Sequence, residues 1–158
     1  MVRPVFFRRG LAAVAILAWS SAANTAQPFA DVHVHFNWDQ REVIDAGQVA
    51  AKLQAAGVEF AVAAGTPSEL ALELARASGG RVIPLFSPYI HELGRRDWHL
   101  DPNVVTRAKA GLSTGDYHGI GEIHFMTGFA PRFDNDVYVQ LMALAVEYQV
   151  PVLSLIHI

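Results

Sequence analysis

The sequence predicts an α/β fold built on a parallel β-sheet, and three observations lead to that prediction. Short, β-branched runs with period-two alternation recur along the chain. Longer segments with apolar residues at helical spacing separate them, in steps of roughly 25–30 residues. Glycine or proline marks the ends of several of these segments. Strands and helices that alternate in this way form strand–helix–strand units, whose strands run parallel.

Five strands and four helices are predicted in chain order. The helix at 41–57 has helical apolar spacing and stops at Gly57. The next opens with Thr66, Pro67 and Glu69, a capping-box spacing with proline at the first helical position, and closes on two glycines. Asp134 is the expected cap of the last helix. The predicted strands are 29–36, 58–65, 81–89, 118–125 and the start of a fifth at 150–153, and the helices are 41–57, 66–80, 101–112 and 134–149.

Two architectures satisfy this pattern, an open doubly wound sheet and a (β/α)8 barrel. A dinucleotide-binding doubly wound domain carries Gly-x-Gly-x-x-Gly after its first strand, whereas histidines stand at this point of the chain. A complete barrel needs about 250 residues. The chain has 158 residues and reaches only a fifth strand, so a barrel here would be the first half of one.

The first 26 residues are predicted to be a cleaved secretory signal. Three arginines precede an apolar run at 11–19, and small residues follow, with cleavage expected after Ala26. The alternative is an uncleaved membrane anchor, although the apolar run is short against the about 20 residues that span a bilayer. The chain has no cysteine, which excludes disulfides and thiolate metal sites. We expect an exported protein, periplasmic or secreted, in a bacterial envelope.

The distribution of charge argues against a nucleic-acid partner. Three of the 12 basic residues and none of the 15 acidic residues lie in the predicted signal, so the remainder carries a formal charge of −6. Basic residues are not interleaved with aromatic ones in the way that nucleic-acid surfaces require. The expected partner is a small-molecule substrate, and a membrane would be contacted only through an uncleaved signal. The sequence does not predict an oligomeric state.

The run "DVHVHF" at 31–36 carries two candidate metal ligands. His33 and His35 share one face of the predicted strand, roughly 6.5 Å apart along it, so their imidazoles can converge on one cation. Histidine nitrogen is a common ligand of zinc and other transition metals. The alternative is a pair of hydrogen-bonded polar residues at a strand end. Their place after Asp31, on the first strand of an alternating chain, favours metal ligation, with Asp31 as a hydrogen-bond partner of a ligand.

The stretches "FADVHVHF" and "GIGEIHF" together resemble the first-strand and fourth-strand signatures of the amidohydrolase superfamily, over residues 29 to about 152. The resemblance implies a (β/α)8 barrel in which His33 and His35 are metal ligands. It also implies that Glu122 is the fourth-strand carboxylate that bridges two ions or holds a second one. The implied cofactor is one or two divalent ions, zinc first, with manganese, iron, nickel or cobalt as alternatives.

The predicted fold is therefore the first half of a (β/α)8 TIM barrel, truncated in the fifth strand. We expect that partial domain to span 27–152. Residues 153–158, "LSLIHI", match the reading-frame translation of a transposon-end adapter used in sequencing-library preparation, and we expect them to be a non-native tail. The alternative is a genuine fifth strand that ends at a metal-binding His157.

The predicted function is metal-dependent hydrolysis, in which activated water attacks a C–N, C–O or P–O bond of a small molecule. The resemblance implies that the catalytic base and further ligands come from later strands, so the chain by itself is expected to be inactive. Two alternatives stay open: a metal-dependent non-oxidative decarboxylase of the same fold, and a non-catalytic exported domain that binds a metal or another ligand. Candidate substrate contacts are His91, in the loop after the third strand, and His124, on the face of Glu122.

Overall fold

A computed structural model describes residues 27–91, 94, 96–125 and 132–156. Residue 156 is described for its backbone only. The predicted signal at 1–26 and His157 lie outside the described residues. None of the helices in the described ranges is both long and apolar enough to cross a membrane.

The described chain alternates between strands and helices, as predicted. The strands are β1 (Phe29–His35), β2 (Val58–Ala64), β3 (Val82–Leu85), β4 (Ile120–Phe125) and β5 (Val152–Ile156). The helices are α1 (Trp38–Arg41), α2 (Ala46–Ala55), α3 (Glu69–Ala77), α4 (Asn103–Ser113) and α5 (Asp136–Glu147). A short 3-10 helix, Trp98–Leu100, lies before α4. Each predicted strand and helix therefore has a counterpart, although β3 is shorter than the predicted 81–89.

All pairings between these strands are parallel. The strands β1, β2 and β3 form one sheet in that order, and β4 pairs with β5 in a second. A parallel bridge between Phe86 and Ile120 joins the two sheets. In it the Phe86 N–H donates to the Gly119 carbonyl at 2.9 Å, and the Gly121 N–H donates to the Phe86 carbonyl at 2.8 Å. Neighbouring strands therefore follow chain order from β1 to β5, and the predicted parallel α/β class is confirmed.

The predicted helix at 41–57 is wrong at its start, because α2 begins only at Ala46 and α1, which overlaps the prediction at Arg41 alone, is a separate element. The Asp45 side chain accepts the Gln48 backbone N–H at 2.8 Å. The Gln48 side chain in turn accepts the Asp45 N–H at 3.1 Å. This reciprocal capping box satisfies backbone donors at the start of a helix, so a new helix begins after Asp45.

Two predicted caps are also wrong. At α3 the N-terminal position is taken by Ser68, whose hydroxyl donates to the Ser87 carbonyl at 2.6 Å and does not cap the helix. At α5 the cap is Asn135, which accepts the backbone N–H of Val137 at 3.0 Å. The neighbouring Asp134 is engaged by Arg132 in a pair of side-chain hydrogen bonds.

The core of the described chain is divided into two clusters of buried apolar residues. One cluster lies under β1 to β3 and includes Phe36 and Leu74, both fully buried. The other lies under β4 and β5 and includes Phe86, Ile120 and Leu141. Helices α2 and α3 pack on each other and on β2 and β3, while α4 packs on α5. The helices thereby bury the apolar stripes that the 3.6-residue period predicts.

Tyr117 is buried against the edge of the Phe86 ring, with the two ring centroids 5.5 Å apart. Its burial raises the pKa of the Tyr117 hydroxyl to about 12, and the negative charge of Glu69 adds to that effect. Burial has this sign because it disfavours the charged phenolate form.

The alkaline limit of stability should therefore depend on Tyr117. The folded chain holds this proton more tightly than the unfolded chain, whose tyrosine pKa is about 10. The raised pKa of Tyr117 therefore contributes fully to folding stability below about pH 10, and this contribution is lost as the pH rises toward about 12. In urea unfolding between pH 9 and 12, Tyr117→Phe should lose stability less steeply than the wild type. Tyr148→Phe is the control and should keep the wild-type slope; equal slopes for all three proteins would contradict the prediction.

Candidate metal centre

The two histidines of β1 converge at their ring tips. Their Nε2 atoms are 3.0 Å apart, and the ring centroids are 4.9 Å apart. The pairing of β1 with β2 slips between Asp31 and Val34, which is the form of a β-bulge beside His33. Within this bulge the Asp31 carboxylate accepts the backbone N–H of His33 at 3.1 Å. Asp31 therefore forms the expected hydrogen bond with a predicted ligand, His33, but the bond is to the backbone N–H of His33 and not to its imidazole ring.

Glu122 lies on β4 and meets both histidines. Its Oε1 is 3.3 Å from Nε2 of His33, and its Oε2 is 3.3 Å from Nε2 of His35. The Glu122 side chain is 4% exposed, whereas the two imidazoles are 40% and 34% exposed. One potential ligand atom from each residue lies within 4.8 Å of the others. We call His33, His35 and Glu122 the ligand cluster.

This contact requires a curved sheet, because β2 and β3 separate β1 from β4. Parallel neighbours lie about 4.8 Å apart, so a flat sheet would hold β1 and β4 about 14 Å apart with parallel side chains. A separation of 3.3 Å between Nε2 and carboxylate oxygen is possible only if the sheet curls toward the face that carries the cluster. The pairing of β4 with β5 also slips between Ile120 and Ile123, next to Glu122. Bulges bend a strand and increase its twist.

The chemistry of the ligand cluster fits a bound cation. A carboxylate only accepts hydrogen bonds, and burying it without a positive charge or donors is costly. Among the described residues, the ion-pair partners of Glu122 are three histidines, with no lysine or arginine. Nε2 of His33 and Nε2 of His35 also face each other at hydrogen-bond distance, so only one of the two can donate to the other. A cation held by both nitrogens and the carboxylate would balance the buried negative charge.

The separations agree with metal geometry as well. Around an ion with bonds of about 2.1 Å, adjacent ligand atoms are about 3.0 Å apart in an octahedron and about 3.4 Å apart in a tetrahedron. The 3.0 Å between the two nitrogens and the 3.3 Å from each nitrogen to one Glu122 oxygen fall in this range. The two 3.3 Å contacts end on different oxygens, and with one ligand atom per residue the cluster spans up to 4.8 Å. The three residues could therefore hold a divalent metal ion, as the sequence predicted.

His124 adjoins the ligand cluster. Its Nε2 is 3.3 Å from Oε2 of Glu122, and the imidazole is 10% exposed. The Tyr89 hydroxyl lies 2.8 Å from Nδ1 of His124 and accepts the backbone N–H of the same residue at 2.8 Å. Tyr89 is 2% exposed and follows β3. No pattern along the sequence links Tyr89 to His124.

His91 occupies a different place. It is exposed in the connection between β3 and α4, where it lines a cavity of about 320 Å³ together with Asp97 and Trp98. Within the described residues, no side-chain hydrogen bond or ion pair joins His91 to the ligand cluster. Its role in substrate binding stays a prediction.

Comparison with known proteins assigns no family to the chain. A scan against protein-family models finds no match to the chain, and a comparison with curated proteins finds none either.

We expect the chain to bind Zn²⁺ through the ligand cluster. In isothermal titration calorimetry, His35→Ala should lower the affinity by more than about 100-fold, beyond the range of outer hydrogen-bond partners. His118→Ala is the matched control, since His118 is exposed and outside the cluster. Equal affinities for the wild type and His35→Ala would contradict the assignment.

Proposed function

We propose that the chain belongs to an exported metal-dependent hydrolase of the amidohydrolase type. The observation that carries the proposal is the ligand cluster: a His-x-His pair on the first strand meets a buried glutamate from the fourth. These are the residues and strands that the sequence resemblance implies. The chemistry of a buried carboxylate between imidazole nitrogens supports a bound divalent ion independently of that resemblance.

The proposed architecture is the first half of a (β/α)8 barrel over residues 27–152. Two features of the described chain support it: parallel strands follow chain order, and the sheet curls enough for β1 and β4 side chains to meet. In such barrels the active site is at the carboxyl ends of the strands. His35 is the last residue of β1, and His124 is next to last in β4.

The residues of the cluster have separable roles. The nitrogens of His33 and His35 would hold an ion as neutral ligands, and the carboxylate of Glu122 would supply negative charge to it. Each carboxylate oxygen faces a different histidine. When bound, a divalent ion supplies a nucleophile from water near neutral pH and polarises the scissile bond. The partial exposure of the two imidazoles leaves the cluster open to a small substrate.

Glu122 favours hydrolysis over the decarboxylase alternative, because the decarboxylase branch of the resemblance generally lacks a fourth-strand carboxylate. The substrate class is a small molecule with a C–N, C–O or P–O bond. Zinc is the first candidate for the metal, and one or two ions are compatible with the cluster.

The proposal is tested on the full-length gene product with a panel of amides, esters and phosphoesters. Glu122→Gln should lower kcat/KM by about 1,000-fold, because an ion supplies several kcal/mol of transition-state stabilisation. Glu147→Gln is the matched control, since Glu147 is a half-exposed carboxylate at the end of α5. A chelator should abolish activity, and added Zn²⁺ should restore it.

Three outcomes would reject the proposal. One is hydrolysis that persists after chelation. Another is metal retained by the double variant His33→Ala, His35→Ala. The third is release of CO2 from carboxylic acids without hydrolysis of any panel member, which would establish the decarboxylase alternative.

A further inference from the structure

Buried Tyr89 and partly buried His124 form a hydrogen-bonded pair, and His124 contacts Glu122 of the ligand cluster. The Tyr89 hydroxyl is 2.8 Å from two nitrogens of the same residue, the backbone N and Nδ1 of His124. The opposite ring nitrogen of His124 is 3.3 Å from Oε2 of Glu122. A single hydroxyl therefore holds both the backbone and the ring of a residue that contacts the carboxylate.

The hydrogen-bond partners select one tautomer of His124. The backbone N–H can only donate, so the Tyr89 oxygen accepts that bond, and its own hydrogen can be donated to Nδ1. On the other side a carboxylate can only accept, so a hydrogen bond from His124 to Glu122 requires the proton on Nε2. His33 and His35 make the same 3.3 Å contacts with Glu122, so the position of the His124 proton follows from the Tyr89 bond at Nδ1 and not from the distance to the carboxylate alone. Both sides are satisfied when neutral His124 is protonated at Nε2. The opposite tautomer would place a nitrogen lone pair against a carboxylate oxygen.

We infer that Tyr89 is a positioning residue that keeps His124 as a hydrogen-bond donor to Glu122 and not as a metal ligand. The inference rests on the proposed role of Glu122 as a ligand. A protonated Nε2 has no lone pair to offer a metal ion, and its hydrogen bond orients the carboxylate by occupying one side of Oε2. Hydrogen-bond partners of ligating carboxylates act in this way on metal affinity.

The same arrangement separates His124 from His33 and His35, which have the same side chain. Nε2 of His33 and Nε2 of His35 are 3.0 Å apart and face both oxygens of Glu122. Potential ligand atoms of His33, His35 and Glu122 all lie within 4.8 Å of one another, and His124 is not a member of this group. The ring of His124 is instead held at Nδ1 by a hydroxyl that is buried in the core.

Matched glutamine substitutions in the full chain distinguish a donor from a ligand. The side-chain amide of glutamine can donate a hydrogen bond to a carboxylate but is a poor substitute for an imidazole on a transition metal. With Co²⁺ as the probe and its visible absorption as the readout, His124→Gln should bind within about threefold of wild type, while His124→Leu loses about 10-fold or more. His35→Gln should lose more than about 100-fold, beyond the range of outer partners. Equal losses in His124→Gln and His35→Gln would overturn the inference.

A second measurement does not depend on metal. Long-range ¹H–¹⁵N spectra of the metal-free chain report which nitrogen of a histidine carries the proton. His124 should be protonated at Nε2 in the wild type and should lose that preference in Tyr89→Phe. Tyr89→Phe should also weaken Co²⁺ binding by about 10-fold. Tyr117→Phe is the control, because it removes another buried hydroxyl and should change neither readout.

The two measurements fail in different ways. A wild-type chain that binds no Co²⁺ would defeat the proposed metal centre, while the spectra would still decide the tautomer. A wild-type His124 protonated at Nδ1, or a tautomer unchanged in Tyr89→Phe, would overturn the role of Tyr89 even if Co²⁺ binds.

Discussion

The candidate centre depends on the contacts between the buried carboxylate of Glu122 and the imidazoles around it. A carboxylate that is 4% exposed needs positive charge or donors close by, since its desolvation is otherwise uncompensated. Three imidazole nitrogens lie 3.3 Å from its oxygens and come from strands at opposite ends of a four-strand span. The contacts of the Glu122 carboxylate therefore link β1 to β4. Through His124 they also reach Tyr89, which follows β3.

Curvature of the sheet makes that link possible. Both strands that carry the ligand cluster have irregular pairing beside their functional residues, at 31–34 in β1 and at 120–123 in β4. Bulges commonly lie next to functional sites because they re-aim side chains and bend the strand. Gly121 illustrates how tightly β4 and β5 approach here. Its φ of +149° suits glycine, and a Cβ at this position would lie 2.5 Å from the Leu153 carbonyl oxygen.

Much of the fold could be predicted because its signals are local. Period-two runs and helical spacing located the five strands and the helices α2 to α5 of the described chain, but not α1 or the 3-10 helix. The start of α2 was misplaced because the apolar spacing continues across Asp45, whereas the helix boundary depends on how the Asp45 side chain bonds to Gln48. Caps at α3 and α5 were missed for a related reason. Neighbouring polar residues compete for the same backbone donors, and contacts such as that of Ser68 with Ser87 decide the outcome.

The sequence by itself determined the parallel α/β class and the identity of the candidate ligands, since strand alternation and His-x-His spacing are properties of consecutive residues. Only the tertiary structure separates the third histidine at the centre, His124, from the other two. His124 and His35 are indistinguishable as residue types, but Tyr89, 35 residues before His124 in the chain, lies at hydrogen-bond distance from Nδ1 of His124. That distinction arises because β3 lies beside β4, a contact between distant parts of the chain that no local pattern records.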